Sequence, residues 1–439
     1  MRSSITRRKF LVGSGQVAVG GSTLGALLAA CGGSPATPAV TAVTPETLVY
    51  WVTGYKPKSA AGTGSGLVDS ATAKFASSHA KTTVNITGYT GDQAGYTKLI
   101  QAIQSGGIVD IFRVSADELP LMIQENLLSP IDDYLDDNDK SDIYPNDLSA
   151  IASNGKHYAW PLWIPPVGMY LNLDVFQERG VTPPTGDWTY EQFVEIAQKL
   201  TFTRANGDKV YGYAGMIDPG VLNTWPFIMG DGGVPFNSDN TKYTFNSDKG
   251  ISGLQKLVDL AQKYHVTPPD FGGSLAGSDL ITGFSQRKTY AMYSAPSGDS
   301  VTYKAAGLNF TVHAMPMGDL STPFTTGGIG LVAVASIDDA TRRKAAMDLA
   351  KYLTGSQVQQ DIPGYYLAPA ARKSVQVTAP VSLFSPFVSY TWLAPNIAQW
   401  GQIRTLIHPQ IQKAVLGQIS AADALNGPAN DINTLLSGS

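Results

Sequence analysis

The chain has 439 residues and a formal net charge of −4, and 43% of its residues are hydrophobic. It is therefore globular in composition and too long for one ordinary domain. Charged residues make up only 15%, against about a quarter in an average domain, so neutral hydrogen-bonding groups must cover much of the surface. The single cysteine, Cys31, excludes an internal disulfide.

The first thirty residues read as an export signal. Arg7-Arg8-Lys9 precede Phe10-Leu11 and a Gly/Ala/Val/Leu-rich run that ends at Ala30. The run is too weakly apolar for a good transmembrane helix, and the arginine pair resembles a twin-arginine signal. Leu28-Ala29-Ala30-Cys31 resembles a bacterial lipobox, in which cleavage precedes Cys31 and its thiol carries lipid. Residues 1–30 hold four cations and no acid, so without them −4 becomes −8. That charge disfavours nucleic acid as a partner. Residues 32–46, rich in Pro, Thr and Ala, read as a flexible tether.

Thr47–Val52 and Thr83–Thr87 predict short strands, and the apolar run Ile108–Val114 a strand buried on both faces. Leu67–Ala80 and the Tyr96/Leu99/Ile100/Ile103 face predict the intervening helices, the second ending at Gly106-Gly107. Strand–helix–strand order implies parallel pairing with right-handed crossovers, and ligands sit at the carboxyl ends of such strands. Those ends are Trp51–Tyr55, Tyr89–Gln93 and Ser115–Glu118. Next comes Gly155–Phe176, with two Trp, two Tyr and three Pro between two α/β regions. Proline neither continues a helix nor suits a central strand, so this stretch reads as a hinge with a ligand face, or else as a loop packed on a core. Beyond it, Thr189–Gln192 predicts a capping box and Asp248–Val266 an amphipathic helix. Tyr290–Ser294, Phe310–Met315 and Ile329–Ala335 predict strands, Ala340–Leu353 a helix, and Gln399–Leu436 helices broken near Gly417 and Gly427-Pro428.

Enzyme signatures are lacking. The five histidines include no i, i+4 pair, and neither a G-x-S-x-G elbow nor a P-loop occurs. The acidic run Asp132–Asp139 lacks the Gly and distal Glu of a calcium loop and reads as a solvated helix end.

The landmarks fall in a recognisable order. Tyr96-x-x-Leu99 precedes Ser105-Gly106-Gly107-Ile108-Val109-Asp110-Ile111. Asn126–Asp132 (NLLSPID) follows. Gly155-Lys156-x-Tyr158-x-x-Pro161 leads to Tyr170-x-Asn172-x-Asp174-x-Phe176. Further on come Pro183-Pro184 with Trp188-Thr189, Phe284–Met292 (FSQRKTYAM), Ala345-Ala346-x-x-Leu349 and Ala421–Leu425. Over roughly 47–436 this order resembles the extracellular solute-binding proteins of ABC importers, in their carbohydrate-binding, maltose-binding-protein-like group. Ile108-Val109 stands where that family usually has Pro, and Arg287 where it has Gly.

The resemblance implies an α/β fold of two lobes, each a mostly parallel sheet flanked by helices, closing on a ligand by hinge motion. Lobe 1 would take 47–158 and 328–372, and lobe 2 would take 163–325 and 378–439, with hinges near Tyr158–Pro161 and Gly327-Gly328. It implies a binding protein rather than an enzyme, without cofactor or metal. The expected partners are a sugar or oligosaccharide, the transmembrane subunits of an ABC permease and, through Cys31, the membrane; the protein would act as a monomer. A polyamine or glycerol-phosphate ligand, a surface glycosidase or lyase, and a scaffold lipoprotein are the alternatives. A sugar presents a C–H face to aromatic rings and a hydroxyl rim to hydrogen-bonding groups. By position in the family pattern, the lobe 1 candidates are Trp51, Thr53, Asp92, Gln93, Ser115 and Asp117, with Trp160 and Trp163 at the crossover. Lobe 2 offers Trp225, Asp231, Tyr293 and Ser294, and Gly327, Gly328, Tyr365 and Arg372 would lie near the return crossings.

Overall fold

Along Thr47–Thr53 buried and half-exposed residues alternate, with Leu48, Tyr50 and Val52 turned inward, the period expected of a strand with one face on a core. The computed structural model describes residues 47–55, 63–79, 82–90, 93–273, 277–395 and 397–438. The export signal, Cys31, the tether and Asp92 lie outside the described residues.

The Thr47–Thr53 strand pairs in parallel with Thr83–Tyr89 on one side and Ile111–Ser115 on the other. Gly330–Val334 adds to Ile111–Ser115 in the opposite direction, and Ala159–Trp163 closes the sheet as its edge. Pro161 is accommodated because an edge strand need not donate on its outer side. Pairing runs through Trp163, so the chain leaves this sheet at Ile164–Pro166, a few residues beyond Tyr158–Pro161.

The second sheet runs Phe310–His313, Val167–Asn172, Tyr290–Pro296, Lys209–Gly215, Phe202–Thr203. Only its Tyr290–Pro296/Lys209–Gly215 pair is parallel. The two-lobed α/β architecture is present, and within it both sheets are mixed: strands that re-enter a lobe from a crossing arrive against the direction set by the strand–helix–strand units.

Each sheet carries its own core. Tyr50, Phe112, Trp160, Leu331 and Leu349 belong to the first; Phe193, Tyr213, Trp225, Leu257 and Ile407 belong to the second. The Tyr190–Lys199 helix opens on the anticipated capping box, with Thr189 Oγ1 accepting from Gln192 N and Gln192 Oε1 from Thr189 N. Helices Trp225–Met229 and Asp248–Gln262 touch backbone to backbone at Gly253, where a Cβ would fall 2.0 Å from the Ile228 carbonyl oxygen. The acidic run is partly structural rather than solvated. Asp136 caps the Asp137–Asp142 helix, and buried Asp139 pairs with Arg372 at 2.8 Å and Lys351 at 2.7 Å.

Three segments run between the sheets, and they hold each other. Pro166 bridges Gly327, and Thr325–Gly327 pairs in parallel with Thr391–Leu393. Gly327 is required by this approach, since a Cβ there would meet Thr391 Cγ2 at 2.6 Å and Pro165 O at 3.1 Å.

Candidate functional site

The strand ends of the first sheet face the crossings and, beyond them, the second lobe. After Ser115 the chain turns, with Glu118 N–H donating to the Ser115 carbonyl at 3.2 Å, and presents Asp117. From the second lobe, Arg404 on the Trp400–Val415 helix reaches across and pairs with Asp117 at 2.9 Å. Its guanidinium rests 5.6 Å from the Trp400 ring one turn earlier. Around this pair lies a cavity of about 190 Å³. Pro165, Gly327 and Gly328 enclose it from the crossings, and Asn223, Pro296 and Ala394 from the second lobe.

Burial pushes the Asp117 carboxyl up, while the charge and hydrogen bond of Arg404 pull it down. Glu118 is likewise raised by burial. Arg404 Nε is buried and has no partner among the described residues. A buried donor left without an acceptor costs free energy. A wider open groove of about 870 Å³ on the first lobe is lined by Asp136, Asp139, Lys351 and Arg372. These residues already pair with one another, and no second-sheet strand lines the groove.

The structure sorts the sequence candidates. Asp117, Gly327 and Gly328 line the cavity. Trp51, Thr53, Ser115 and Trp163 are half-buried at the strand ends of the first lobe. Gln93 begins the Gln93–Gln104 helix. Trp163 lies 4.9 Å from the Arg113 guanidinium, which also donates to Tyr50 and Tyr365 hydroxyls at 2.9 and 3.0 Å. Tyr365 is thereby a buried support under Trp163 rather than a contact surface.

Other candidates serve the cores. Trp160 is fully buried in the first. Trp225, equally buried, packs among Phe245, Trp392, Trp400 and His408. Neither offers a ring face to a ligand, so alanine at either would open a cavity rather than remove a platform. Asp231 accepts from Lys256 at 2.5 Å, Ser252 at 2.7 Å and the Asp319 amide at 2.9 Å. Tyr293 belongs to the aromatic cluster of Tyr170, Phe284 and Tyr303, and Ser294 Oγ is 2.7 Å from the Tyr213 hydroxyl. Arg372 is committed to Asp139 and the Thr354 carbonyl. Sequence reasoning missed Arg404 and Asn223. An arginine on a helix reads as solvated, and the carboxylate that claims it lies in the other lobe.

Beside this site, Trp225 Nε1 donates to His408 Nε2 at 3.2 Å, and His408 Nδ1 lies 3.0 Å from the Arg404 carbonyl. Burial lowers the His408 imidazole from 6.5 to about 4. Above pH 6.5 the ring is neutral in both states; between about 6.5 and 4 only the unfolded chain takes the proton. Stability is therefore lost on acidification through that window, by roughly 3 kcal/mol at its lower end. Urea unfolding at neutral and acidic pH should show His408→Gln losing distinctly less than the parent chain. Equal losses would refute the buried neutral ring.

Two sheet-centred lobes joined by three mutually bonded crossings, with a cavity between them, define the two-lobed fold of a binding protein. The chain belongs to the bacterial extracellular solute-binding protein family, whose model matches residues 70–383. It is similar to a binding protein of Brucella abortus, 23% identical over 336 residues, covering 73% of this chain and 78% of that one. It is also similar to the maltotriose-binding protein of Pyrococcus abyssi, 25% identical over 258 residues, covering 58% and 52%. Among solved structures, the cyclic alpha-maltosyl-1,6-maltose binding protein of Arthrobacter globiformis has the same fold, with a TM-score of 0.75 at 20% identity over 90% of this chain and all of the other. Family membership fits an extracytoplasmic protein, and no described helix is long and apolar enough to cross a membrane.

Proposed function

We propose that this chain is the substrate-binding subunit of an ABC importer that closes its lobes on a sugar or short oligosaccharide and delivers it to the permease. The observation that carries the reading is the Asp117–Arg404 pair across the cavity. One carboxylate and one guanidinium neutralise each other there, while both keep hydrogen-bonding capacity toward ligand oxygens. A neutral, hydroxyl-rich molecule suits such a lining. A polyamine would have to displace Arg404 from Asp117, and a glycerol phosphate would have to displace Asp117 from Arg404. The saccharides named for the Pyrococcus and Arthrobacter relatives support the same class. Half-buried Trp51 and Trp163 at the strand ends are the platforms, with Thr53 and Ser115 beside them. No bond is made or broken in the cycle. The protein works as a monomer, and lipid on Cys31, following a twin-arginine-like signal, tethers it to the cell membrane.

A panel of mono- and oligosaccharides, polyamines and glycerol phosphates tests this on a chain starting at Thr44. A ligand at 100 times its Kd stabilises by about 2.7 kcal/mol, so one sugar class should raise the melting temperature by roughly 5–10 °C. A shift confined to polyamines or phosphates would reject the sugar.

A further inference from the structure

Behind the crossings lies a second cavity, of about 280 Å³. Its walls come from three parts of the chain. Tyr144, Pro145, Asn146 and Asp147 stand at the start of the Pro145–Ala150 helix of the first lobe. Ile164 lies on the first crossing, and Val388 to Leu393 lead into the strand paired with the second crossing. Ile164, Val388 and Ala371 form a small apolar cluster separate from both lobe cores, with Tyr144 and Leu393 packed on it.

One wall residue does not fit an apolar cluster. Asp147 is only 1% exposed, and its Oδ2 is buried with no hydrogen-bond partner among the described residues. A carboxyl oxygen left so is expensive unless the group holds a proton or gains a partner. No cation lines the cavity, so an anion would find no opposite charge there. A single carboxylate is too few for a metal, and no group of three or more metal-ligating side chains occurs among the described residues. The combination of one carboxylate, one phenol ring, the aliphatic side chains of Ile164, Val388 and Leu393, and the neutral polar groups of Asn146, Ser389 and Thr391 matches a small organic cation with a hydrocarbon body.

We propose that this cavity is a second binding site, for a small alkylammonium ion whose charged end sits on Asp147 and whose hydrocarbon part lies against Ile164, Val388 and Leu393. All three crossings border it or pair with its wall, so an occupant would bias the setting of the hinge and thereby be linked to the cleft. Burial alone raises the Asp147 carboxyl to about 8. Tyr144 is the only other titratable group in the lining; Asp142 acts on Tyr144, and Lys373 lies 5.9 Å from its ring. The crossing and the 388–393 stretch contribute no titratable lining residue. The Asp147 carboxyl therefore holds a proton at neutral pH, which an alkylammonium must expel, and binding should tighten as pH rises toward and past 8.

The test titrates the full chain with isobutylammonium chloride, using isobutanol as the neutral isostere, by calorimetry at about pH 6.5 and about pH 8.5. The amine should bind in the millimolar range expected of so few atoms, roughly tenfold or more tightly at the higher pH, and the alcohol at least tenfold more weakly. Asp147→Asn keeps the shape and should abolish the preference for the amine. Ser389→Trp, at an exposed rim position, should block entry while leaving the melting temperature unchanged. Equal binding of amine and alcohol, amine binding that survives either variant, or no amine binding at the higher pH would overturn the proposal. None of these measurements uses a cleft ligand, so the outcome is independent of the sugar reading.

Discussion

Arg342→Met is expected to lower the melting temperature by roughly 6–15 °C, the largest stability effect foreseen for a single substitution outside the apolar cores. Arg342, on the Ala340–Thr354 helix, holds Asp110 with two bonds, Nε at 2.5 Å and Nη2 at 2.6 Å. Asp110 is 1% exposed, and its Oδ2 also accepts the Val49 amide at 2.7 Å. Arg342 Nη2 continues to the Thr47 carbonyl at 3.1 Å. One guanidinium thus fastens a helix to the first strand and to the entry of the third. Methionine keeps the aliphatic stem and its packing but leaves the carboxylate buried without its cation. Breaking a buried pair from one side costs about 3–5 kcal/mol. Adding Asp110→Asn should restore part of the loss, because the uncompensated charge is then removed as well. A shift below about 2 °C for the single variant would mean that the pair contributes no more than an exposed one.

The repeating parts of this fold were legible because they follow short-range rules. The alternation along Thr47–Val52, the capping box at Thr189 and the helix breaks at Gly417 and Gly427-Pro428 each depend on residues within one or two turns. Pro161 was the misleading signal. Its place on an edge strand is a tertiary fact, and once Ala159–Trp163 is a strand, Trp160 stands opposite Val332 in mid-strand, while Trp163, past a shift in register, stands opposite Gly330 at the strand end. The first goes into the core and the second over Arg113. The site was less legible than the fold because partners distant in sequence define it. Arg372 and Arg404 look alike in the chain; Asp139 claims one inside lobe 1, and Asp117 claims the other across the cavity.

That second pairing makes Arg404 the residue on which cleft affinity should depend most. Arg404→Met is expected to weaken binding of the best saccharide of the panel by about ten- to hundredfold, the range for losing hydrogen bonds to a charged group. The change removes the ion pair between the strand-end turn of lobe 1 and the Trp400–Val415 helix. It also takes away the buried Nε donor, which has no partner among the described residues. Asp117 is left three-quarters buried without the influence that lowers its carboxyl. Its pKa must then rise further, and the closed lobes pay a charge-burial cost that grows as pH rises through that value. Affinity of the variant should therefore recover partly on acidification from neutral pH, whereas the parent, whose Asp117 keeps its cation, should not show that recovery. Arg404→Lys should fall between the two, since an ammonium restores the charge without the planar fork. Calorimetry across pH on the three proteins separates the contributions, and a variant that binds as tightly as the parent at neutral pH would remove Arg404 and Asp117 from the closing mechanism.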